Sequence, residues 1–257
     1  MVILCLINIF TNLLIIFKMI TNFNIKEFLL KNNLNINNKF LRIPRLNFIK
    51  NLILEKKRLR VLEFGTGLST LIIAKSLSIN KLKFSIRKEI MHSNYENFFS
   101  HSIDNNKKWI NISKKNLKNL NLNKISKVSF VKLQMENYNG IISSSCNILP
   151  KINPDLILLD GPDQNLIVGK VSNINFSDKS FTPIQNDILK MEAFLIPGTI
   201  ILIDGRTNNA HYFRKKLYRK WSYRHIKLLD QHIFELKDPP IGDYNKKVLY
   251  FYKSKNY

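Results

Sequence analysis

The sequence predicts an α/β protein built on a doubly wound, mostly parallel sheet of seven strands. Short apolar runs alternate with helical segments along most of the 257 residues, which is typical of a parallel sheet covered by helices. Two runs, DLILL at 155–159 and TIILI at 199–203, are continuously apolar, as expected for central strands buried on both faces. Four of the eight glycines come just after a predicted strand: Gly65, Gly67, Gly161 and Gly205.

The predicted elements follow one another in a regular order. Helical periodicity over residues 23–57 predicts an N-terminal helical extension, interrupted by an Asn-rich loop near 32–38 and by Pro44. Strands are predicted at 60–64, 98–103, 127–133, 155–159 and 199–203, with a closing hairpin-like pair at 223–229 and 232–236. Helices are predicted at 69–77, 106–117, 184–196 and 210–221. Ligands bind outside the carboxyl ends of the strands in such sheets, so the residues there are expected to carry the chemistry.

The chain is expected to divide into an apolar segment at 1–18, the helical extension at 19–58 and one larger domain at 59–257. The apolar segment lacks the basic start and cleavage site of a secretory signal, and it is at the short limit for a membrane span. Three interpretations stay open: a marginal membrane anchor, a packed N-terminal helix, or translated upstream DNA with the true start at Met19. We expect a cytoplasmic protein and leave open its association with a membrane through residues 1–18.

The formal net charge of +23 would usually indicate a nucleic-acid or anionic-membrane partner. However, Ile, Lys and Asn, whose codons are rich in A and T, make up 101 of the 257 residues, and the basic residues lie along the whole chain. We therefore favour codon drift with a mild preference for an anionic substrate over dedicated nucleic-acid binding. The two cysteines, Cys5 and Cys146, fit neither a disulfide framework nor a metal-ligand spacing, which indicates a reducing compartment.

The loop after the first predicted strand has the composition of a ligand-binding turn. In VLEFGTGLST at 61–70, Gly65 permits a sharp turn from strand to helix, and Gly67 lets a ligand approach the backbone. Glu63 is an acid on an otherwise apolar buried strand, so it is expected to meet hydrogen-bond donors there. A dinucleotide-binding loop would need a third glycine where this chain has Leu68-Ser69-Thr70, which makes a pyrophosphate ligand less expected.

The run LEFGTGLST at 62–70 resembles the first motif of class I S-adenosylmethionine-dependent methyltransferases, in the branch that reads Leu-Glu-Phe-Gly-(Ser/Thr)-Gly-x-Ser-Thr. The resemblance extends over about 60–236 and includes the closing strand pair. It implies S-adenosylmethionine as cofactor and methyl transfer, which we expect to reach an oxygen of a small-molecule or saccharide-like acceptor. The cofactor-binding residues it implies in this loop are Glu63, Gly65, Thr66, Gly67, Ser69 and Thr70.

In this family an acid that ends the second strand binds the ribose hydroxyls, and two acids compete for that role. Glu89 stands behind a candidate strand at 82–86, near the usual interval from the glycine loop. Asp104 ends the run SID at 102–104 and is followed by Trp109, which is similar to the family's junction of strand, acid and helix. We favour Asp104, which makes 79–97 an insertion before the second strand, and expect Trp109 on the apolar side of the following helix.

Two further acids end the predicted central strands. The run PDLILLDGP at 154–162 resembles the family's fourth-strand motif, and PGTIILIDGR at 197–206 resembles its fifth. The resemblance implies that Asp160, the terminal acid of the fourth-strand motif, lies where the cofactor sulfur and the substrate meet, so Asp160 is also a candidate cofactor-binding residue. Asp160 and Asp204 should therefore lie near each other, where they suit either a divalent cation or a base acting on a substrate hydroxyl. In catechol-type enzymes of the family, an Asp-Asn or Asp-Asp doublet helps to hold Mg²⁺. This chain has Asp204-Gly205, so Asn208 or Asn209 would have to substitute, and Mg²⁺ stays open.

Further side chains are candidates on the same rim. Arg206 could pair with a carboxylate or phosphate of the acceptor. His211 could take a proton from a hydroxyl. Gln134 and Glu136 follow the third strand, where the resemblance implies contacts to adenine, and Gln134 is the one we assign to the cofactor.

Two other functions remain as alternatives. One is a non-catalytic basic protein of the same fold that binds RNA or an anionic membrane surface. The other is an NAD-dependent or nucleotide-sugar enzyme on the same sheet.

Overall fold

The computed structural model describes residues 23–34, 42–91 and 96–254. The apolar segment at 1–18 lies outside these ranges, so its three interpretations stay open. Within the described ranges, every helix is too short or too polar to cross a bilayer. The described residues fall into two compact units, which divide between Phe48 and Ile49.

The first unit is helical, as predicted. Its first helix, α1, covers Ile25–Lys31, and α2, Arg42–Glu55, begins in it and continues into the second unit. The side chain of Asn24 caps α1 by accepting a hydrogen bond from the amide of Glu27 at 3.3 Å. Edge-to-face contact between the rings of Phe23 and Phe28, at 5.2 Å, stabilises the same turn.

The second unit contains a seven-stranded sheet in the order β3-β2-β1-β6-β7-β9-β8. Its strands are β1 (Arg60–Phe64), β2 (Phe99–Asp104), β3 (Ser126–Phe130), β6 (Leu156–Leu159), β7 (Ile200–Asp204), β8 (Trp221–Ile226) and β9 (Gln231–Leu236). The first five are parallel, and β9 is antiparallel to both of its neighbours. This confirms the predicted doubly wound sheet and its closing strand pair. The strand order reverses between β1 and β6, which is where such sheets bind ligands.

Five more helices belong to this unit: α3 (Leu68–Phe84), α4 (Lys107–Asn119), α5 (Asp187–Met191), α6 (Thr207–Lys216) and α7 (Gly242–Lys253). The candidate strand at 82–86 is wrong, because α3 continues through Phe84. The expected insertion at 79–97 consists, in its described part, of the end of α3 and a single 3-10 turn, Lys88–Ile90.

The predicted helices at 184–196 and 210–221 are both shorter than expected. The first is reduced to α5 and a 3-10 turn, Glu192–Phe194, and the second ends at Lys216. In the second, the buried carboxylate of Glu192 accepts hydrogen bonds from the amides of Tyr218 and Arg219 and from the indole of Trp221. These bonds draw the chain out of the helix, so Trp221 begins β8 instead of ending α6.

Two elements were not predicted. A hairpin of β4 (Leu133–Tyr138) and β5 (Ile141–Cys146) follows β3, and α7 closes the chain. The hairpin turns at Asn139-Gly140, whose φ angles of 51° and 80° are left-handed. Asn-Gly between strands is a strong hairpin signal, so this turn could have been found in the sequence.

Candidate cofactor site

A cavity of about 320 Å³ lies at the carboxyl ends of β1, β2 and β6, next to the point where the strand order reverses. The loop after β1 contributes Gly65 and Thr66, and the end of β2 contributes Asp104. Residues 160–164, which follow β6, form another wall, while Arg206 enters from the start of α6. The site therefore lies where the sequence analysis placed the chemistry.

The floor of this cavity requires glycine at two positions. Gly65 has a φ of 103°, and a Cβ added to it would stand 2.8 Å from the backbone nitrogen of Gly161. A Cβ added to Gly161 would stand 2.4 Å from the Cα of Gly65. The loops after β1 and β6 thus pack backbone against backbone, and both glycines are fixed by the fold itself.

Gly67 differs from these two glycines. Its φ of 167° is extended, and a Cβ added there would meet no atom of the described protein within 4 Å. The fold therefore does not require glycine at this position. This is the behaviour expected of a glycine that leaves room for a ligand.

Glu63 lies beneath the loop and meets donors, as its burial requires. Its carboxylate accepts hydrogen bonds from the hydroxyls of Ser69 and Ser102, each at 2.5 Å, and of Thr70 at 2.7 Å. Burial raises the pKa of Glu63 to about 7. The Thr70 hydroxyl also accepts the amide of Gly67 at 3.0 Å. Glu63, Gly67, Ser69 and Thr70 do not line the cavity. Glu63, Ser69 and Thr70 hold the loop in shape, while Gly67 directly follows Thr66, which does line it.

Asp104 ends β2 and lines the cavity. Its carboxylate accepts hydrogen bonds from the amide of Thr66 at 2.8 Å, from the Thr66 hydroxyl at 3.2 Å and from the amide of Asn106 at 2.9 Å. Burial raises the pKa of Asp104, and these hydrogen bonds oppose that effect. Glu89 instead lies exposed in the 3-10 turn before β2 and pairs with Arg87 at 3.3 Å. The placement of the second strand is confirmed, and the ribose role of Asp104 stays a prediction.

Asp160 and Asp204 follow neighbouring strands, as expected from their positions. Leu159 of β6 pairs with Ile203 of β7, and each acid comes one residue later. Asp160 is exposed and lines the cavity, whereas Asp204 is half-buried and lies outside the lining. The structure thus brings Asp160 to the cavity and leaves Asp204 at its border.

Arg206 ties the loop after β6 to the start of α6. Its guanidinium donates to the carbonyl of Pro162 at 2.7 Å, to that of Asp160 at 3.3 Å and to the side chain of Gln185 at 3.4 Å. Burial lowers the pKa of Arg206, while the nearby carboxylates of Asp160 and Asp104 oppose the shift. This cation is therefore engaged in holding the cavity wall.

The cavity has an acidic lining although the chain as a whole is strongly basic. Among the described lining residues the ionisable ones are Asp104, Asp160, Asp163 and Arg206, three carboxylates and one guanidinium. The chain carries a formal charge of +23. The lining therefore favours a cationic ligand and disfavours a pyrophosphate.

The residues near Asp160 and Asp204 do not fit Mg²⁺. The side-chain amide of Asn209 is buried and bonds to the backbone of Gln185 on both sides, accepting its amide at 3.1 Å and donating to its carbonyl at 2.9 Å. The side-chain amide of Asn208 donates to the carbonyl of Thr182 at 3.3 Å. In the described chain, neither aspartate belongs to a group of three His, Cys, Asp or Glu side chains spaced as metal ligands. The guanidinium of Arg206 stands beside Asp160 instead.

Three other candidates lie away from the cavity. Gln134 is exposed on β4, and Glu136 on the same strand pairs with Lys190 at 2.5 Å. His211 is exposed on α6, with its ring 6.3 Å from that of His232. Their proposed roles in adenine binding and proton transfer therefore stay predictions without support from the cavity lining.

The structure adds residues that the sequence analysis missed. Trp109 is 46% exposed and lines the cavity, so its expected place on the apolar side of the helix is wrong. The side chain of Asn105 donates to the carbonyl of Asp163 at 2.8 Å and accepts its amide at 2.9 Å. This clamp joins loops 58 residues apart, which no local pattern reveals.

Comparison with known proteins finds similarity at the level of solved structures. No family model matches the chain, and no curated protein matches it. An O-methyltransferase from Bacillus cereus in complex with S-adenosylhomocysteine (SAH) is 14% identical, with a TM-score of 0.45, covering 83% of this chain and 90% of that one. A putative caffeoyl-CoA O-methyltransferase from Staphylococcus aureus is 15% identical, with a TM-score of 0.44 and coverages of 88% and 98%. An SAH-bound methyltransferase from Podospora anserina is 14% identical, with a TM-score of 0.46 and coverages of 76% and 79%.

Proposed function

We propose that the chain binds S-adenosylmethionine in the cavity at the ends of β1, β2 and β6 and transfers its methyl group to an oxygen of a small-molecule or saccharide-like acceptor. The observation that carries this proposal is the acid-lined cavity beside a glycine loop with free space at Gly67. The motif at 62–70 supports the same cofactor. The acceptor is inferred from the family resemblance alone.

The charge of the cofactor matches the lining. S-adenosylmethionine has a sulfonium and an ammonium group against one carboxylate, so its net charge is positive. Asp104, Asp160 and Asp163 attract such a ligand over the short distances inside the cavity. NAD carries two negative charges on its pyrophosphate, which the same carboxylates repel, so the NAD-dependent alternative is disfavoured.

Two lining residues have suitable chemistry for the adenosine part. The two oxygens of the Asp104 carboxylate offer about four acceptor sites, and Thr66 and Asn106 occupy three of them. The fourth site can accept one ribose hydroxyl, and a second ribose hydroxyl can replace the Thr66 hydroxyl, whose bond of 3.2 Å is the longest of the three. The half-exposed indole of Trp109 offers a flat apolar face to a purine.

When bound, the cofactor supplies an electrophilic methyl group. The protein's part in such a transfer is mainly to align the acceptor and exclude water. Asp160 is the exposed carboxylate in the cavity wall. We therefore assign to it the role of general base, which accepts the proton of the acceptor hydroxyl. Arg206 positions this wall through the carbonyls of Asp160 and Pro162. We keep Asp204 and His211 as secondary candidates for the base.

Calorimetric titration with S-adenosylmethionine, SAH and NAD tests the proposal. We expect one equivalent of each of the first two to bind and NAD not to bind. Binding of NAD instead would overturn the cofactor assignment. If none of the three ligands binds, and if the protein binds RNA with an affinity that falls steeply as the salt concentration rises, the basic RNA-binding alternative is favoured.

A further inference from the structure

A cluster of histidines and an aspartate lies at the turn between β8 and β9, outside the lining of the cavity. His225 on β8 and His232 on β9 are directly opposite each other in the antiparallel pair. Asp230 precedes β9, and Thr207 at the start of α6 completes the group. No step of the proposed methyl transfer uses these four side chains.

The ligand atoms of the cluster lie close together, at distances somewhat longer than those around a bound zinc ion. His225 Nε2 lies 3.7 Å from Asp230 Oδ1, and His232 Nε2 lies 3.9 Å from the same oxygen. One ligand atom from each of the three residues falls within 4.8 Å of the others. A tetrahedral zinc ion with bonds of about 2.05 Å holds its ligands about 3.4 Å apart. Small rotations of the side chains would close the remaining gap.

Neighbouring groups fix the orientation of the cluster. The hydroxyl of Tyr223 lies 2.9 Å from His232 Nδ1. Metal-binding histidines typically have such a partner on their second nitrogen. His232 Nε2 lies 3.0 Å from the Thr207 hydroxyl, which donates to Asp230 Oδ1 at 3.1 Å, so a metal ion would take the place of this hydroxyl between the two side chains. The backbone carbonyl of Asp230 accepts the amide of Gly205 at 3.0 Å, which fixes the turn to the end of β7.

His225 supplies the observation that calls for an additional ligand. Its Nε2 is buried and has no hydrogen-bond partner among the described residues. A buried polar nitrogen without a partner is unfavourable, whereas a metal ion would satisfy it. The His225 ring stacks on that of His232 with 3.9 Å between centroids, so both rings reach the same side of the turn.

We propose that His225, Asp230 and His232 bind one Zn²⁺ ion, with the Thr207 hydroxyl beside it and the remaining position open to water. Two imidazoles and one carboxylate are a ligand set that suits zinc, whereas Mg²⁺ and Ca²⁺ prefer oxygen ligands alone. Three protein ligands with an open position are the arrangement found in sites where zinc activates water.

Zinc titration of the tag-free, metal-stripped full chain against a chromogenic chelator tests this site. His225→Ala removes one ligand, and Asp230→Asn removes the carboxylate while keeping a residue that tolerates its left-handed φ of 49°. His101→Gln is the matched control, because His101 lies on β2 and bonds to Ser129. We expect one equivalent to bind to the wild type and the control. Binding should be at least tenfold weaker in the two variants, since even second-shell losses cost 10- to 100-fold.

A second measurement does not depend on the variants. Co²⁺ added to the wild type should shift the ring resonances of His225 and His232 more than those of His101. The proposal would be overturned if the wild type failed to bind one equivalent, if both variants bound as tightly as the wild type, or if Co²⁺ shifted other histidines instead. Zinc binding is measured without the cofactor, so its failure would not bear on methyl transfer.

Discussion

Substitution of Gly67 separates ligand binding from folding in this protein. An added Cβ at Gly67 meets no described protein atom within 4 Å, and the residue is the N-cap of α3. Asp is favoured at N-caps, so Gly67→Asp should keep the helix and change the free energy of unfolding by less than about 1 kcal/mol. Gly67 is not among the residues that line the cavity, but it directly follows Thr66, which is, so we expect the added side chain to enter the space that we assign to the cofactor.

The expected loss of affinity follows from the cost of forcing atoms into a filled site. Overpacking typically costs about 1–3 kcal/mol, and each 1.4 kcal/mol is a factor of ten in Kd. A single Cβ in Gly67→Ala should therefore weaken SAH binding by about 10- to 100-fold, and the larger Gly67→Asp should weaken it further. S-adenosylmethionine should show the same ranking.

Gly65→Ala is the contrasting control. Its Cβ would stand 2.8 Å from the Gly161 nitrogen at a φ of 103°, so it should lose about 2–5 kcal/mol of stability from strain and overpacking. Calorimetric titration with SAH would measure the affinity of the three variants, and thermal melting would measure their stability. The reasoning fails if Gly67→Asp binds SAH like the wild type, or if it unfolds while Gly65→Ala remains stable.

Three further predictions concern the acids of the site. Asp104→Ala should weaken SAH binding at least tenfold, because hydrogen bonds to a carboxylate contribute about 1.5–3 kcal/mol each. Glu89→Ala should change SAH binding little, and calorimetry that reversed this ranking would refute the ribose assignment. The pKa of Glu63 is raised from 4.5 to about 7, so the folded state binds the extra proton and stability should fall as pH rises through this window. This dependence of the free energy of unfolding on pH amounts to up to about 3 kcal/mol between pH 4.5 and 7. Glu63→Gln should remove it in melting curves, and an unchanged dependence would contradict the raised pKa. Asp160→Asn should lower turnover about a hundredfold with little effect on SAH affinity, as expected for the loss of a general base. Asp204→Asn should have the smaller effect on turnover. Full activity of Asp160→Asn with the true acceptor would exclude Asp160 as the base.

The central strands could be predicted because they are buried on both faces. The runs that became β6 and β7 are almost wholly apolar, as strands covered on both faces usually are. β1 is fully buried as well, although it includes Arg60 and Glu63. The acids at 104, 160 and 204 then follow from position, since each ends or directly follows a parallel strand. Of the predicted site residues, Gly65, Thr66, Asp104, Asp160 and Arg206 line the cavity, and their functional roles stay predictions.

The remaining features depend on contacts between distant segments. Glu192 ends α6 through hydrogen bonds to Tyr218 and Arg219, and helical periodicity has no means of showing such an acceptor. The hairpin after β3 is different, because its Asn139-Gly140 turn is a local signal that the sequence itself contains. His225 and His232 lie opposite each other because of the register of β8 and β9. The 3-10 turn at Lys227–Leu229 between the two strands sets this register.

The contrast between the charge of the chain and that of its cavity explains why composition alone misdirects a functional assignment. A net charge of +23 acts at long range, where it favours anions, but salt at about 0.1 M screens exposed charges beyond about 10 Å. Within the cavity, Asp104, Asp160 and Asp163 are closer to a ligand than the Debye length, so the nearest charges decide what binds. A basic surface can therefore attract an anionic acceptor while the cavity selects a cationic cofactor, and the two preferences do not conflict.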